Sequence, residues 1–305
     1  MRITLLVENT TTNEQIKAEH GLSMYIETEN HKILFDMGPD NLFIENAVKL
    51  GIDLGQVDLA VLSHGHYDHG GALAKFLEVN NHAPVYLSEK AFRPYYHGPE
   101  KYIGLDVSLK GNERLRMGTA ERAELEYATC LSESAGSNIG QMPGKTMCQI
   151  PGLGYVIGQG LTLYSCNRCE RKYNLGSFGL SMVAADCCGQ EETREELEKL
   201  LIPDDFTHEQ YLLIEENGKR VLISGCSHKG ILDIAEWFEP DVLVGGFHFS
   251  KLPLDEALAG YARQLAEHDT LFITCHCTGR EQYEYMKKYM PRLEYLCCGV
   301  SFVIS

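Results

Sequence analysis

The clearest chemical signal in this chain is a run of three histidines and one aspartate within six positions, in the pattern H-x-H-x-D-H. The four residues are His64, His66, Asp68 and His69. Neutral imidazole and carboxylate groups are ligands that suit Zn²⁺, Mn²⁺ and Fe²⁺. The run leaves a predicted strand and enters a predicted helix, so we expect the first two side chains to point one way and the last two another. The pattern therefore predicts a metal site at the end of a strand.

The same run, together with Asp36 at the end of the apolar residues 33–35, resembles the metallo-β-lactamase superfamily. The resemblance implies an αβ/βα sandwich with a mono- or binuclear metal site at one edge. Four further strings resemble the branch that includes 7,8-dihydropterin-6-methyl-4-(β-D-ribofuranosyl)aminobenzene-5′-phosphate synthase: residues 19–23, 224–231, 245–248 and 275–279. Residues 105–205 match least.

The resemblance also implies which later residues complete the site. In the superfamily a histidine precedes a hairpin, a bridging Asp or Cys follows it, and a last histidine ends a later strand; these positions correspond to His208, Cys226 and His276. The branch adds His228, two residues beyond Cys226, so either His208 or His228 can be the ligand. Asp36 is expected to stand behind the ligands and hold one imidazole in its binding tautomer.

The predicted donors are more numerous than one tetrahedral ion requires, so we expect two divalent ions, with zinc preferred and manganese or iron as alternatives. Asp68 is expected to orient or deprotonate the metal-activated water as well as bind metal. His248 follows a predicted strand and two glycines, so we predict contact with substrate or proton transfer there. His20 is interpreted as a structural group.

Three classes of function fit these residues. The first is a metal-dependent hydrolase or transferase, with a pterin-ribosylaminobenzene-phosphate synthase-like transferase as an alternative within it. The second is a flavo-diiron redox enzyme, which the resemblance disfavours because such proteins have Glu where this chain has His66. The third is a non-catalytic metal-binding module, which would tolerate the loss of ligands. We favour hydrolysis or transfer on a small anionic, phosphate-bearing molecule.

The amino-acid composition limits the binding partners and the cellular compartment that we expect for this protein. The chain has 305 residues, with 43 Asp and Glu against 27 Lys and Arg, and a net charge of −16. Such a charge opposes nucleic acid and anionic membranes. We see no membrane-spanning run and no signal peptide, and eleven cysteines are too sparse for a disulfide scaffold. We therefore expect a cytoplasmic protein; its oligomeric state stays open.

The elements expected to position the site alternate between strands and helices, which predicts an α/β (α+β) fold. We expect one domain over residues 1–305, with an irregular, cysteine-containing insertion at 105–205 whose clearest helix is 193–201. Asn217-Gly218 predicts a hairpin between strands 211–216 and 220–223. Helices are predicted at 70–79, 231–238 and 255–268, and from Thr278, where T-x-x-E has capping-box spacing.

A second group of cysteines lies in the predicted insertion: Cys166, Cys169, Cys187 and Cys188. A C-x-x-C pair is half of a zinc site, but adjacent cysteines make a poor second half. We expect reduced thiols, with a structural metal or redox switching as alternatives. Among the basic residues, Lys229 and Arg280 stand beside site motifs and are candidates for contact with an anionic substrate.

Overall fold

The computed structural model describes residues 1–134, 154–173, 181–184 and 198–305, and for 127–134 the backbone alone. Two seven-stranded sheets dominate the described part. Across the first sheet the strands are β18 (Ser301–Val303), β1 (Arg2–Val7), β2 (Ser23–Glu27), β3 (Lys32–Phe35), β4 (Leu59–Val61), β5 (Val85–Leu87) and β8 (Leu115–Met117). Across the second they are β17 (Leu293–Tyr295), β16 (Leu271–Thr274), β15 (Val242–Gly245), β14 (Lys219–Ile223), β13 (Tyr211–Glu216), β10 (Leu161–Tyr164) and β9 (Tyr155–Gly158).

A smaller third sheet and seven helices complete the described elements. The strands of the third sheet, in order, are β12 (Leu201–Pro203), β11 (Ser181–Ala184), β6 (Tyr95–His97) and β7 (Lys101–Tyr102). The helices are α1 (Leu42–Lys49), α2 (Tyr67–Gly70), α3 (Leu73–Val79), α4 (Thr119–Ser134), α5 (Ile231–Phe238), α6 (Glu256–Ala266) and α7 (Arg280–Met286). No helix in the described residues has the length and apolar character needed to cross a bilayer.

The two large sheets pack face to face because their strands are apolar on both sides. Ile33 and Phe35 of β3 lie in the cluster between the sheets, whereas Leu34 lies in the cluster that also contains Phe43 of α1 and Phe76 of α3. This alternation follows from the two-residue period of a strand. The second sheet is covered in the same way by α5, α6 and α7. The layers are therefore αβ/βα, which confirms the predicted fold class.

Both large sheets place the ends of parallel strands at one edge. Strands β3, β4, β5 and β8 are parallel in the first sheet, and β14 to β17 are parallel in the second. The residues after β3, β4, β14, β15 and β16 include Asp36, the H-x-H-x-D-H run, Cys226, His248 and His276. The carboxyl ends of parallel strands carry the functional loops in α/β sheets. The sheet topology thus brings distant parts of the sequence to one place.

The hairpin between β13 and β14 forms as predicted, with Glu216 paired to Lys219. Its turn residues Asn217 and Gly218 have φ of 53° and 73°. These positive values characterise the type I′ turn that an Asn-Gly pair favours, because its twist matches that of the strands. The hairpin lies between His208 and Cys226, so its closure fixes the distance between the two segments that carry them.

Two helix predictions were wrong in detail. The helix predicted at 70–79 is two helices, α2 and α3, which meet at Gly71 and Ala72. The capping box at Thr278 does not form, since the cap of α7 is Gly279. Thr278 Oγ1 instead accepts a hydrogen bond from the Phe247 N–H at 2.8 Å and contacts Thr274 Oγ1. A tertiary partner close to the site therefore outcompetes the local cap.

The region predicted as irregular contains more regular structure than expected. β8 extends the first large sheet, β9 and β10 extend the second, and β6, β7, β11 and β12 form the third sheet. The helix predicted at 193–201 lies mostly outside the described residues; residues 198–200 are helical as predicted, whereas Leu201 begins β12 instead of ending the helix. Strands of two to four residues are too short to show an alternating pattern in sequence. The single-domain arrangement stays a prediction.

Candidate metal centre

The H-x-H-x-D-H run occupies the turn from β4 into α2. His64, His66 and His69 are buried, and Asp68 lies in the first turn of α2. Gly65 separates the first two histidines where the chain passes close to the backbone of Ala91. A Cβ atom at position 65 would lie 2.2 Å from the Ala91 carbonyl oxygen. The glycine therefore lets the two imidazoles enter the site from a closely packed turn.

One group of possible metal donors combines residues that follow a strand of the first sheet with residues that follow a strand of the second. It consists of His64, Cys226 and His228, whose donor atoms all lie within 4.8 Å of one another. The Nε2 atoms of His64 and His228 are 3.3 Å apart. All three side chains are buried. Such a set of two imidazoles and one thiol is a suitable partial coordination sphere for a zinc-like ion.

A second group shares the same cysteine. Cys226 Sγ lies 3.2 Å from His69 Nε2 and forms a donor group with His69 and His276. Asp68 Oδ2 lies beside this group, at 3.4 Å from His276 Nε2 and 3.8 Å from His69 Nε2, and it also lies 3.3 Å from His20 Nε2. The exposed His20, interpreted from the sequence as a structural group, therefore lies within donor distance of Asp68 and His276 and lines the cleft. Cys226 thus stands between the two groups, in the position that the sequence predicted as bridging.

The other nitrogen of each of three histidines has an oxygen partner that orients the ring. Nδ1 of His69 donates to Asp36 Oδ2 at 2.6 Å, and Nδ1 of His276 donates to Asn9 Oδ1 at 2.9 Å. Nδ1 of His64 lies 2.8 Å from the Ser63 hydroxyl oxygen, which itself donates to Asp36 Oδ2 at 2.7 Å. Each Nε2 therefore points into the shared space, where it can bind a metal ion once it carries no proton. The donor set therefore fits one or two divalent ions.

His208 and His66 are placed differently from the other histidines. They form a third group with Asp204. His208 Nδ1 accepts a hydrogen bond from the Gly65 N–H at 2.8 Å, and its Nε2 donates to Asp204 Oδ2 at 3.1 Å. Both ring nitrogens of His208 are therefore occupied by protein partners. Of the two alternatives raised by the sequence, the structure places His228, and not His208, with His64 and Cys226.

Burial keeps most of these imidazoles neutral. It lowers the pKa of His64, His228, His208 and His276 below the ordinary value. Burial would also lower the pKa of His69, but the carboxylates of Asp36 and Asp68 outweigh it and raise that pKa to about 9. Neutral imidazoles offer a lone pair to a metal ion, and a cation replaces the proton where one is bound.

Burial acts in the same direction on the pKa values of Asp68 and Cys226, but their neighbours shift the two pKa values in opposite directions. Burial would raise the pKa of Asp68, yet His69, His20 and His276 outweigh it and hold that pKa well below the usual range. Burial, the Cys277 side chain and the charge of Asp68 raise the pKa of the Cys226 thiol. Asp68 is therefore an ionised carboxylate, whereas Cys226 needs a bound cation to become a thiolate.

The site also stores backbone strain. Asp36, Ser227, His248 and His276 have positive φ values of 57°, 57°, 58° and 48°. Non-glycine residues rarely adopt this conformation, and it costs free energy that the surrounding structure must supply. Such residues cluster at functional sites because the strain holds side chains in a required direction.

His248 lines the cleft beside the donors without belonging to a donor group among the described residues. Its Nδ1 lies 3.1 Å from His228 Nδ1, and its N–H contacts Cys277 Sγ at 3.2 Å. Burial and the neighbouring side chains of His276, His66 and Lys251 lower its pKa to about 4, so the ring is neutral at pH 7. This charge state suits contact with substrate better than storage of a proton.

Several residues that hold the site were not predicted from the sequence. Glu8 Oε1 accepts the His276 N–H at 2.8 Å, and Glu209 Oε1 accepts the His228 N–H at 2.7 Å. Asn9 and Asp204 orient His276 and His208 as described above. Glu8 and Asn9 directly follow β1, and polar residues at a strand end were a usable signal. Asp204 lies in the least matched stretch and had none.

Two cysteines of the predicted insertion, Cys166 and Cys169, lie in the described residues, and they do not contribute to the donor groups found there. Cys166 is buried and Cys169 half-buried, and neither belongs to a group of three or more donors in the described part of the chain. Burial raises the pKa of Cys166, and a hydrogen bond between the two side chains lowers that of Cys169. Cys187 and Cys188 lie outside the described residues. Reduced thiols therefore stay a prediction.

The two basic residues singled out from the sequence do not face the cleft. Lys229 is buried, and its Nζ donates to the carbonyl oxygens of Ser165 and, at 2.8 Å, Glu209. Arg280 is exposed and pairs with Glu284 at 2.7 Å. The lysines that line the cleft are Lys101 and Lys251, which the sequence did not single out.

Replacing Asp36 with asparagine is expected to weaken zinc binding by about 10- to 100-fold, the cost usual for a residue that orients a ligand. The amide loses the charge that holds the Nδ1 proton of His69 and the hydroxyl of Ser63. The measurement is competitive titration with a zinc chelator. Asp255→Asn, an exposed helix cap that asparagine can also fill, is the matched control. Equal affinity in the Asp36 and Asp255 variants would contradict the orienting role.

Comparisons with known proteins agree with this fold. The sequence profile described as the metallo-beta-lactamase superfamily matches residues 16–263. The chain is 28% identical over 282 residues to an uncharacterized protein of Methanocaldococcus jannaschii, covering 91% of this chain and 90% of that protein. It is 24% identical over 308 residues to the 7,8-dihydropterin-6-methyl-4-(beta-D-ribofuranosyl)-aminobenzene-5'-phosphate synthase of the same organism, covering 94% and 90%. A crystal structure of a metal-dependent hydrolase of the beta-lactamase superfamily matches with a TM-score of 0.69 and 26% identity, covering 100% of this chain and 99% of that one.

Proposed function

The chain belongs to the metallo-beta-lactamase superfamily, and from that premise we propose that it is a metal-dependent hydrolase of small anionic, phosphate-bearing molecules. The observation that carries the proposal is the pair of donor groups that share Cys226 at the floor of an open cleft. The family uses divalent metal. We propose two ions, preferably zinc, with His64, Cys226 and His228 around one and Asp68, His69, Cys226 and His276 around the other; His66 stands beside the first and His208 behind it.

Divalent ions held there would supply an activated water and polarise the phosphoryl or carbonyl oxygen of the substrate. The residues of the chain contribute position and charge. Asp68 is ionised and reaches the cleft, so it can orient water and accept a proton at Oδ2. His248 is neutral and offers a ring nitrogen to the substrate. Asp36 and Asn9 keep the imidazoles of His69 and His276 from rotating.

The reaction is tested by metal analysis of anaerobically purified protein together with a panel of phosphodiesters, lactones and pterin substrates. We expect about two divalent ions per chain and turnover of at least one phosphoester. One ion per chain would contradict the binuclear part of the proposal. A metal-loaded protein with no turnover on any member of the panel would favour the binding-module alternative.

A synthase-like transferase is the second candidate, and the similarity to the methanogen synthase along 94% of this chain favours it. Its reaction would join two substrates at the same cleft instead of adding water. The pterin members of the panel separate the two candidates, because condensation without hydrolysis of simple esters would support the synthase.

The free cysteines and the net charge of the chain bear on the compartment and the partners of the protein. We propose that it acts in the cytoplasm, as one domain, on small molecules and not on nucleic acid or membranes. Its cysteines with described side chains are free thiols, which suits a reducing compartment. Its net charge of −16 repels polyanions at long range, whereas two divalent ions reverse the sign of the field locally.

A further inference from the structure

The cleft above the donor groups has a second set of polar side chains that metal binding does not use. The cleft has a volume of about 270 Å³, which suits a small molecule. Its floor is made by the donors described above. Its outer part includes the following side chains: Tyr67, His97, Lys101, Ser250 and Lys251.

Lys101 is tied directly to the H-x-H-x-D-H run. Its Nζ donates to the hydroxyl oxygen of Tyr67 at 3.2 Å and lies 5.0 Å from the centre of the Tyr67 ring. Tyr67 is the residue between His66 and Asp68, and its N–H donates to the Ile103 carbonyl oxygen at 2.8 Å. A cation–π contact and a hydrogen bond therefore hold an exposed ammonium group next to the metal motif.

Lys251 comes from a different part of the chain, the loop that carries His248. Two backbone hydrogen bonds fix this loop: Ser250 N–H donates to Cys277 O at 3.0 Å, and Leu252 N–H donates to Phe249 O at 2.8 Å. The loop is thus anchored to the segment that contains His276. Within the described residues, the ion pairs found do not include Lys101 or Lys251, whose side chains both line the cleft.

The positive charges of Lys101 and Lys251 both act on the side chain of His97. His97, at the end of β6, has a pKa lowered by burial and by the positive charges of Lys251 and Lys101. All three side chains line the same cleft, although they come from three separate segments of the chain. In a chain with a net charge of −16, two ammonium groups at one end of the cleft make a local positive field that favours binding of an anion there.

We propose that Lys101, Lys251 and His97 form a subsite for a phosphate monoester group that is not the reacting group of the substrate. This inference rests on the proposed function, which places the reacting bond at the donor groups on the cleft floor. The substrate class is then a compact molecule with a hydrolysable bond at one end and a terminal phosphate at the other. A phosphate dianion matches the two lysine charges and accepts hydrogen bonds from several donors at once.

Isothermal titration of the zinc-loaded protein with ribose 5-phosphate tests the subsite directly, with ribose as the uncharged comparison. We expect ribose 5-phosphate to bind and ribose not to bind. Lys101→Gln and Lys251→Gln are each expected to raise Kd about tenfold, and the double variant more than either. Lys110→Gln removes an exposed lysine outside the cleft and is the matched control, with an unchanged Kd.

Two results would overturn the subsite. One is a Kd for ribose 5-phosphate that is the same in the double lysine variant and in the Lys110 control. The other is binding that disappears in His276→Ala but persists in the double lysine variant, because the donor groups alone would then hold the phosphate.

Failure of the subsite is distinguishable from failure of the proposed function. Turnover of bis(p-nitrophenyl) phosphate with lysine-independent binding of ribose 5-phosphate refutes the subsite and leaves the hydrolase proposal in place. Lysine-dependent binding in a zinc-loaded protein that hydrolyses no ester supports the subsite and refutes the hydrolase proposal.

Discussion

Asp68→Asn is expected to lower kcat by about 10²- to 10⁴-fold, the range usual for the loss of a positioned acid or base. Asparagine has the same shape but is neutral, so it cannot accept a proton at Oδ2. Asp68 is suited to that role because His69, His20 and His276 keep it ionised at the cleft floor. The measurement is steady-state turnover on whichever phosphoester the wild type accepts, with zinc content determined on the same sample.

The controls for this variant separate catalysis from metal loss. Asp255→Asn makes the same chemical change at an exposed helix cap and should keep full activity. Asp68→Asn samples with wild-type zinc content and low kcat would assign the effect to the carboxylate charge. Full turnover by Asp68→Asn on every accepted substrate would refute the catalytic role.

Cys226→Ser is expected to weaken zinc binding by more than about 100-fold, beyond the range for residues that only orient a ligand. The cysteine is a member of both donor groups, so its loss removes a donor from each. A serine hydroxyl is a poor replacement because it stays protonated at neutral pH. Chelator titration gives the affinity, and metal analysis gives the number of ions per chain.

Cys298→Ser is the matched control for Cys226→Ser. Cys298 is also fully buried, but its Sγ contacts the carbonyl oxygens of Leu6 and Lys17 far from the donor groups in sequence. We expect wild-type zinc affinity in this variant. Equal zinc affinity in the Cys226 and Cys298 variants would show that the shared thiol is not a ligand.

The fold was largely predictable because its main elements carry strong local patterns. The strand at 211–216 and the helix at 231–238 have the predicted bounds, and the strand predicted at 220–223 begins one residue earlier, at Lys219. The Asn217-Gly218 hairpin formed because both residues tolerate positive φ. The short strands of the third sheet could not be predicted, since two to four residues show no period.

The candidate site was predictable only in part. The run from His64 to His69 is local in sequence, so residue type and spacing were enough to predict metal chemistry. The partners of each imidazole are not local. Asp204 is four residues before His208 but 138 positions after His66, and nothing in the sequence indicated that a sheet would bring it to both.

The sequence by itself determined the chemistry of the donors, the alternation of strands and helices and the strand ends that carry the site, because side-chain type, hydrophobic period and turn residues act over a few positions. The layered arrangement was implied by the resemblance to the superfamily. Only the tertiary structure decided which histidine joins Cys226. His208 and His228 both carry an imidazole near that cysteine in sequence, but the N–H of Gly65 and the carboxylate of Asp204 occupy the nitrogens of His208. The tertiary structure also decided that Lys229 is buried against backbone carbonyl oxygens and that Lys101 and Lys251 line the cleft. Hydrogen-bond partners and local charge depend on contacts between distant segments, and those contacts exist only once the sheets have packed.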